Sequence, residues 1–317
     1  MALVLVARPL PEPVIEALAA EHDIDLREAT WPMNEDEMVA ALQGYDAVLC
    51  SLGDRFSADV FAKAGKPRCK LIANFGVGYN HIDVAAAKVA GVAVTNTPGA
   101  VTDATADIAL TLMLMTCRRA GEGERLVRSG DWEGWHPMQM LGLHMTGKTL
   151  GVIGMGRIGQ AIARRAHHGF GMNVLFYNRS PKKCEVPAKQ MERIEDVAAW
   201  ADVLVVAVPG GAETTHLIGR SVFAAMPEHA VVVNISRGEV VDEAALIDAL
   251  EAGSIGGAGL DVYEHEPDVP ERLRACENAV LLPHLGTATL EVRTEMGLMA
   301  ADNILGFLKD GSLQNPV

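Results

Sequence analysis

An arginine, a glutamate and a histidine stand in that order in the last third of the chain, each inside a short motif. Arg237 lies in Asn234-Ile-Ser-Arg-Gly238, Glu266 in Leu260-Asp-Val-Tyr-Glu-His-Glu-Pro267 and His284 in Leu282-Pro-His-Leu-Gly286. Arginine presents a planar fork that meets a carboxylate with two parallel hydrogen bonds, and beside a keto oxygen it offsets developing alkoxide charge. Histidine has the only side chain with an ordinary pKa near neutrality, so it can give a proton in one direction and take it back in the other. A carboxylate on the second ring nitrogen would orient the ring and favour the imidazolium. Glu264 and Glu266 are both placed for that role, and turn geometry could bring either inward. Singly, a strand-end arginine is more often a surface ion pair and a histidine more often a structural residue. Together they suit the protonation of a small 2-oxo acid while a hydride arrives from elsewhere.

A hydride source is implied upstream. Gly147-Lys-Thr-Leu-Gly-Val-Ile-Gly-Met-Gly-Arg-Ile-Gly159 reads as a strand running through glycines into a helix over residues 160–167. Gly154 permits the tight turn, Gly156 lets the backbone approach a pyrophosphate, and Gly159 lets the helix pack on the strand. Arg157 and Ile158 supply first-turn amides to the phosphates. An NAD binder places an acidic residue about 20 residues further on, to grip the ribose hydroxyls. Here that place holds Asn178-Arg179-Ser180 followed by Lys182 and Lys183, and no acidic residue occurs from Gln160 to Cys184. The arrangement predicts NADP(H) as preferred cofactor with Arg179 on the 2′-phosphate, NAD(H) remaining possible. Asp261 ends a strand, where it serves equally well as a cap.

The elements that must position these residues alternate throughout. Strand-like runs at residues 3–7, 47–50, 71–74 and 92–94 are separated by amphipathic stretches such as 14–21 and 35–42. A second set covers 149–153, 174–177, 203–207, 231–235, 257–260 and 279–281, with a final helix over 290–308. Such alternation predicts two consecutive α/β domains with parallel sheets, crossing near Thr97-Pro-Gly99, the second binding the nucleotide. In the first, Asn74-Phe-Gly-Val-Gly-Tyr-Asn-His-Ile-Asp83 puts glycines after a strand, leaving amides near Val77 and Gly78 open to a carboxylate; His81 is set aside. The stretch 108–117 is apolar almost all round, which predicts burial on every side, by its own core or by a second subunit.

Composition narrows the partners. A chain of 317 residues, 49% hydrophobic, has material for about two domains. The net charge of −14 argues against nucleic acid and against an anionic membrane surface. The cysteines, 5 in number and without a C-x-x-C pair, fit reduced thiols, and no His/Cys/Asp cluster has metal-ligand spacing. Residues 1–7 read as a buried strand because no basic segment precedes them, and no apolar run is long enough for a membrane span. A cytoplasmic protein is expected.

The order and spacing of these motifs resemble the D-isomer-specific 2-hydroxyacid dehydrogenases over nearly the whole chain, and the wording is most similar to the glyoxylate/hydroxypyruvate reductase branch. The resemblance implies two Rossmann-like or flavodoxin-like domains. One is a discontinuous substrate domain, 1–99 with 286–317; the other is a dinucleotide-binding domain, 100–285. It implies Glu266, preceding Pro267, as the partner of His284, and Val77, Gly78, Arg237 and His284 as substrate contacts. Thr214, Ile235, Asp261 and Gly286 join the cofactor set, with Asp261 near the nicotinamide amide. Gly134-Trp-His-Pro137 resembles an aromatic loop of that branch, so Trp135 either roofs the substrate or packs under its loop. A homodimer is implied. Gly210 and Gly211 depart from the bulkier residue and threonine usual there. Two other functions fit the same fold: a reductase of another 2-keto acid such as 2-ketogluconate, and a nucleotide-sensing corepressor-like module.

Overall fold

Runs of valine, isoleucine and leucine too short for helices become fully buried strands, and amphipathic stretches between them supply the covering helices. The computed structural model describes residues 1–317. The chain forms two compact units, Met1–Val101 with Thr287–Val317, and Thr102–Gly286. The first segment contains β1 (Leu3–Val6), α1 (Glu12–Ala19), β2 (Asp23–Leu26), α2 (Glu35–Gly44), β3 (Ala47–Ser51), α3 (Ala58–Ala64), β4 (Leu71–Phe75), α4 (Val84–Val89) and β5 (Ala93–Thr95). The second unit contains α5 (Thr102–Cys117), α6 (Ala120–Ser129), β6 (Thr149–Ile153), α7 (Arg157–Phe170), β7 (Asn173–Tyr177), β8 (Ala188–Gln190), α8 (Ile194–Ala198) and β9 (Val203–Val206). It continues with α9 (Arg220–Ala225), β10 (Val231–Asn234), α10 (Glu243–Glu251), β11 (Gly257–Leu260), α11 (Glu271–Ala275) and β12 (Ala279–Leu281). The last helix, α12 (Leu290–Asp310), belongs to the first unit.

Both sheets are parallel. The first runs β2-β1-β3-β4-β5 and the second β12-β11-β10-β9-β6-β7-β8. In the second, β6 pairs β9 and β7 on its two sides, Val152 opposite Val205 and Phe176. This is the point where strand order reverses, and α/β sheets bind ligands outside the carboxyl ends there. Apolar clusters cover both faces of each sheet. In the first unit α12 brings Ala300, Ala301 and Ile304 onto Val4, Leu49 and Leu71. The edge strands β2 and β8 lie outside the expected strand sets. Asp23-Ile-Asp-Leu26 and Ala188-Lys-Gln190 are half exposed, so neither carries a continuous β-branched run.

Of the two ways in which residues 108–117 were expected to be covered, the chain's own core supplies one face only. Helix α5 buries Ala109, Leu112, Met113 and Cys117 inside the second unit's core, while Leu114 remains 39% exposed. Only about half of its circumference meets the rest of the chain, because a helix on a sheet face is covered from one side. No helix is long and apolar enough to cross a membrane.

Candidate active site

The glycine turn after β6 is sterically required. Gly154 has φ +100°, and a Cβ there would lie 2.6 Å from the Ala207 carbonyl oxygen; one on Gly159 would lie 2.2 Å from the Gly154 carbonyl. At Gly156 a Cβ would meet nothing within 4 Å. That open space adjoins the start of the 14-residue helix α7, capped by Gly156 without any side-chain acceptor. First-turn amides with no cap, facing a space that glycine keeps clear, fit the phosphates of a dinucleotide.

Beside it, Asn178 joins two turns: its Oδ1 accepts from the Met155 amide (3.2 Å) and its Nδ2 donates to the Ser180 carbonyl (2.8 Å). Gln190, which sequence reasoning missed, shapes the basic turn from β8. Its Nε2 donates to the carbonyls of Asn178 (3.0 Å) and Ser180 (3.3 Å), and its Oε1 accepts from the Lys182 amide (3.2 Å). Arg179 extends into solvent and pairs with Glu213 at 2.5 Å. Thr214 uses its hydroxyl within its own loop, donating to Pro209 (2.8 Å).

Three strand ends carry the ionisable set. After β10, Asn234 Oδ1 accepts from the Ser236 amide (3.0 Å) and hydroxyl (2.8 Å), and its Nδ2 donates to the Arg237 carbonyl (3.0 Å). This side-chain-built turn, which also encloses Ile235, sets Arg237. Gly238 is obligatory, since a Cβ would fall 1.8 Å from the Tyr263 carbonyl carbon. Gly210 gives the departure from the family pattern a physical sense: a Cβ would press on Glu239 Oε1 (2.5 Å) and Arg237 Cγ (2.7 Å). The half-buried Arg237 donates to the Ser236 carbonyl at 2.7 Å. Burial pushes its pKa down, opposed by Glu239 and Glu266, and arginine stays cationic regardless.

After β12 the chain reaches His284 in a left-handed conformation, φ +55°. Asp261, 2% exposed, holds it there: its carbonyl accepts from the His284 amide (3.0 Å), and its carboxylate accepts from the amides of Leu285 (2.6 Å) and Gly286 (2.8 Å). Burial raises the Asp261 pKa against the pull of those amides and of His284. Thr105 of α5 donates to the Gly286 carbonyl (3.3 Å). Asp261 therefore caps the turn that presents His284.

His284 Nδ1 lies 2.9 Å from Glu266 Oε2, while Glu266 Oε1 accepts from the Tyr263 amide at 3.1 Å. Burial pushes the Glu266 carboxyl up, but His284, the Tyr263 amide and Arg237 outweigh it, so the net shift is downward. Glu264 turns to His216 instead, at 2.8 Å. The two carboxylates left open by the sequence thus face different histidines.

Val77 and Gly78 lie in the first unit, in a turn whose carbonyls are pinned. Asn74 Nδ2 donates to Gly76 (2.9 Å) and Gly78 (3.0 Å), and Asn96 Nδ2 donates to Val77 (2.8 Å). His81, set aside above, stands with its Nε2 3.0 Å from Asn74 Oδ1, a contact within the turn that Asn74 builds. Trp135 is 79% exposed, so within this chain it does not pack under its loop.

The family model of the D-isomer specific 2-hydroxyacid dehydrogenase NAD binding domain matches residues 110–286. The chain is 42% identical over 316 residues to a glyoxylate reductase of Thermococcus kodakarensis, covering 98% of this chain and 94% of that one. It belongs to the D-isomer specific 2-hydroxyacid dehydrogenases. A Pyrococcus furiosus glyoxylate reductase is also 42% identical, over 96% of this chain and 91% of its own. Among solved structures, the TT0316 protein of Thermus thermophilus superposes with TM-score 0.92 at 38% identity over 99% of each chain. The NADPH-dependent glyoxylate/hydroxypyruvate reductase of Sinorhizobium meliloti, in complex with NADP and malonate, gives TM-score 0.88 at 34% identity, over 99% of this chain and 96% of that one. These likenesses place the chain in the glyoxylate reductase branch of NAD(P)-dependent D-2-hydroxyacid dehydrogenases.

Proposed function

We propose that this D-2-hydroxyacid dehydrogenase reduces glyoxylate and hydroxypyruvate to the D-2-hydroxy acid with NADPH as preferred donor. The observation that carries the chemistry is the 2.9 Å contact of Glu266 with His284 at the carboxyl edge of the sheet that bears the glycine turn. When bound, the nicotinamide supplies the hydride. Gly154, Gly156 and Gly159 with the Arg157 and Ile158 amides hold its phosphates, and Asn178, Arg179 and Ser180 hold the adenosine end. Thr214, Ile235, Asp261 and Gly286 complete that set. Arg237 orients the substrate carboxylate and offsets charge on the keto oxygen. His284 delivers the proton from Nε2, because Nδ1 is engaged by Glu266, which stabilises the imidazolium through the transfer. Val77 and Gly78, whose amides donate to no acceptor within the chain, are the further substrate contacts, with Trp135. The similarity to relatives named glyoxylate reductase supports the substrate, and the acid-free basic turn supports NADPH. A nucleotide-sensing module would have no use for an oriented proton donor.

The same reading includes a homodimer. Leu114, Val127, Trp132, Trp135, Met138 and Leu141 are exposed by 39–79% along one segment of the second unit, an apolar concentration that a monomer seldom leaves in water. The deciding measurement is NADPH oxidation over a panel of 2-oxo acids, with glyoxylate, hydroxypyruvate and 2-ketogluconate included. Turnover fastest with the larger sugar acid would displace the substrate assignment, and binding without turnover would displace the enzyme.

A further inference from the structure

A second histidine–carboxylate pair stands two residues from the first. His216 Nε2 and Glu264 Oε1 are 2.8 Å apart, their side chains 45% and 22% exposed. His216 closes the loop after β9 that carries Thr214, whereas Glu264 lies in the turn after β11 that carries Glu266. The backbone on each side is fixed. The His216 amide donates to the Glu239 carbonyl (2.8 Å), the Ile218 amide to Val240 (3.0 Å), and Gly238 packs directly on the Tyr263–Glu264 peptide. His216 also sits at φ +52°, a left-handed conformation uncommon for a residue with a side chain though one that histidine adopts more readily than most.

We propose that His216 and Glu264 form a positioning pair that braces the 263–266 turn, so that Glu266 meets His284 rather than turning away. The role rests on the reading of Glu266–His284 as the proton-delivering pair. Its physical basis is charge crowding. The Glu264 amide donates to Glu243 Oε2 (3.4 Å), and Glu264 and Glu266, two residues apart, face His216 (2.8 Å) and His284 (2.9 Å). Two carboxylates two residues apart repel, and an unbraced Glu264 would compete with Glu266 for the same cations. Pairing Glu264 with a cation from another loop removes that competition and locks the turn's register. Hydrogen bonding to Glu264 raises the His216 pKa above its ordinary value, against partial burial and helped by Asp242. The brace is therefore at full strength below the ordinary histidine value and weakens as pH rises through the raised one.

The test uses the full chain with His216→Ala, His216→Gln and Glu264→Gln. Readouts are kcat, the two KM values, the pH profile, the melting temperature and the downfield ring N–H proton resonance of His284. For a half-exposed pair, His216→Ala should lower kcat about three- to fivefold, leave the KM for NADPH within about twofold and weaken the His284 resonance. His216→Gln, whose amide donates to Glu264 at any pH, should restore kcat and remove the brace's alkaline weakening from the profile. Glu264→Gln, which keeps the shape but cannot compete for the cations, should stay near wild-type kcat and should restore kcat when combined with His216→Ala, even if the latter alone melts early. Wild-type kcat, profile and resonance in His216→Ala would overturn the proposal, as would failure of His216→Gln, or of Glu264→Gln in the double variant, to rescue it. A wild type inactive on every 2-oxo acid would refute the proposed reaction, and the His284 resonance would still decide the brace.

Discussion

If NADPH is the preferred donor, as proposed, Arg179→Ala should abolish the preference. A charge-assisted hydrogen bond from arginine to a 2′-phosphate is worth about 1.5–3 kcal/mol. To make it, Arg179 must leave Glu213, and with the two side chains 85% and 82% exposed that pair holds it only weakly. Exposed pairs contribute roughly 0.2–1 kcal/mol, leaving about 1–2 kcal/mol, or close to tenfold in affinity. NADH gains nothing comparable at this turn, because Asn178 Oδ1 is taken by the Met155 amide and no carboxylate stands there for the ribose hydroxyls. Initial rates at the nicotinamide absorbance should show wild-type kcat/KM at least about tenfold higher with NADPH. Added salt should shrink that margin, since the Debye length is about 8 Å at physiological ionic strength. Arg179→Ala should raise the KM for NADPH by about that factor with NADH kinetics nearly unchanged. Glu213→Gln should move the other way, tightening NADPH by up to about fivefold because Arg179 no longer has a competing partner. Equal use of both cofactors by the wild type, or NADPH kinetics indifferent to Arg179→Ala, would refute the reasoning.

His284→Ala should lower kcat by about 10²–10⁴-fold with cofactor affinity little changed, and undiminished activity across the pH range would remove it as proton donor. Glu266→Gln should be milder and move the pH optimum of reduction downward, because the imidazolium loses its anion. Since the Glu266 pKa is lowered, its stabilisation is complete above the ordinary glutamate value of 4.5 and fades as pH falls through the lowered one; urea denaturation of wild type and Glu266→Gln should converge at acid pH. Sedimentation should find twice 33.8 kDa at micromolar concentration. The partly covered Met115 is the position at which to introduce a dissociating charge, because Leu112 is wholly inside its own core and a charge there would unfold the unit. Gly297→Val should destabilise the first unit by about 1–3 kcal/mol, because a Cβ there already falls 2.4 Å from Val14 Cγ2, where α12 crosses α1.

The strands carrying the chemistry were the most legible part of the chain. Residues 149–153 and 257–260 coincide with β6 and β11, because central parallel strands are buried on both faces and read as apolar runs; 279–281 coincides with the edge strand β12, whose Ala279 and Val280 are also buried. Two of the edge strands, β2 and β8, were not, since their side chains are only partly covered. At the site, the glycines announced the turn by type alone, whereas the choice between Glu264 and Glu266 depended on a turn whose path no local pattern encodes. Gln190 was invisible for the same reason: it acts on backbone groups brought near only by the fold. The return of α12 to the first unit came from family resemblance, for nothing in an amphipathic helix names the sheet it will cover.

That return has a consequence for biosynthesis. The cluster that joins Val4, Val6, Leu49 and Leu71 to Ala300, Ala301 and Ile304 is assembled from the two extremes of the described chain, with the whole of Thr102–Gly286 between them. At about 5–20 residues per second, the apolar face of the first sheet waits roughly ten to forty seconds on the ribosome for its helix. The middle unit, continuous in sequence, can finish folding within that interval. Newly made first units are thus the natural clients of chaperones, and a chain begun at Thr102, with residue 317 linked to residue 1, would relieve them by making each unit an unbroken stretch.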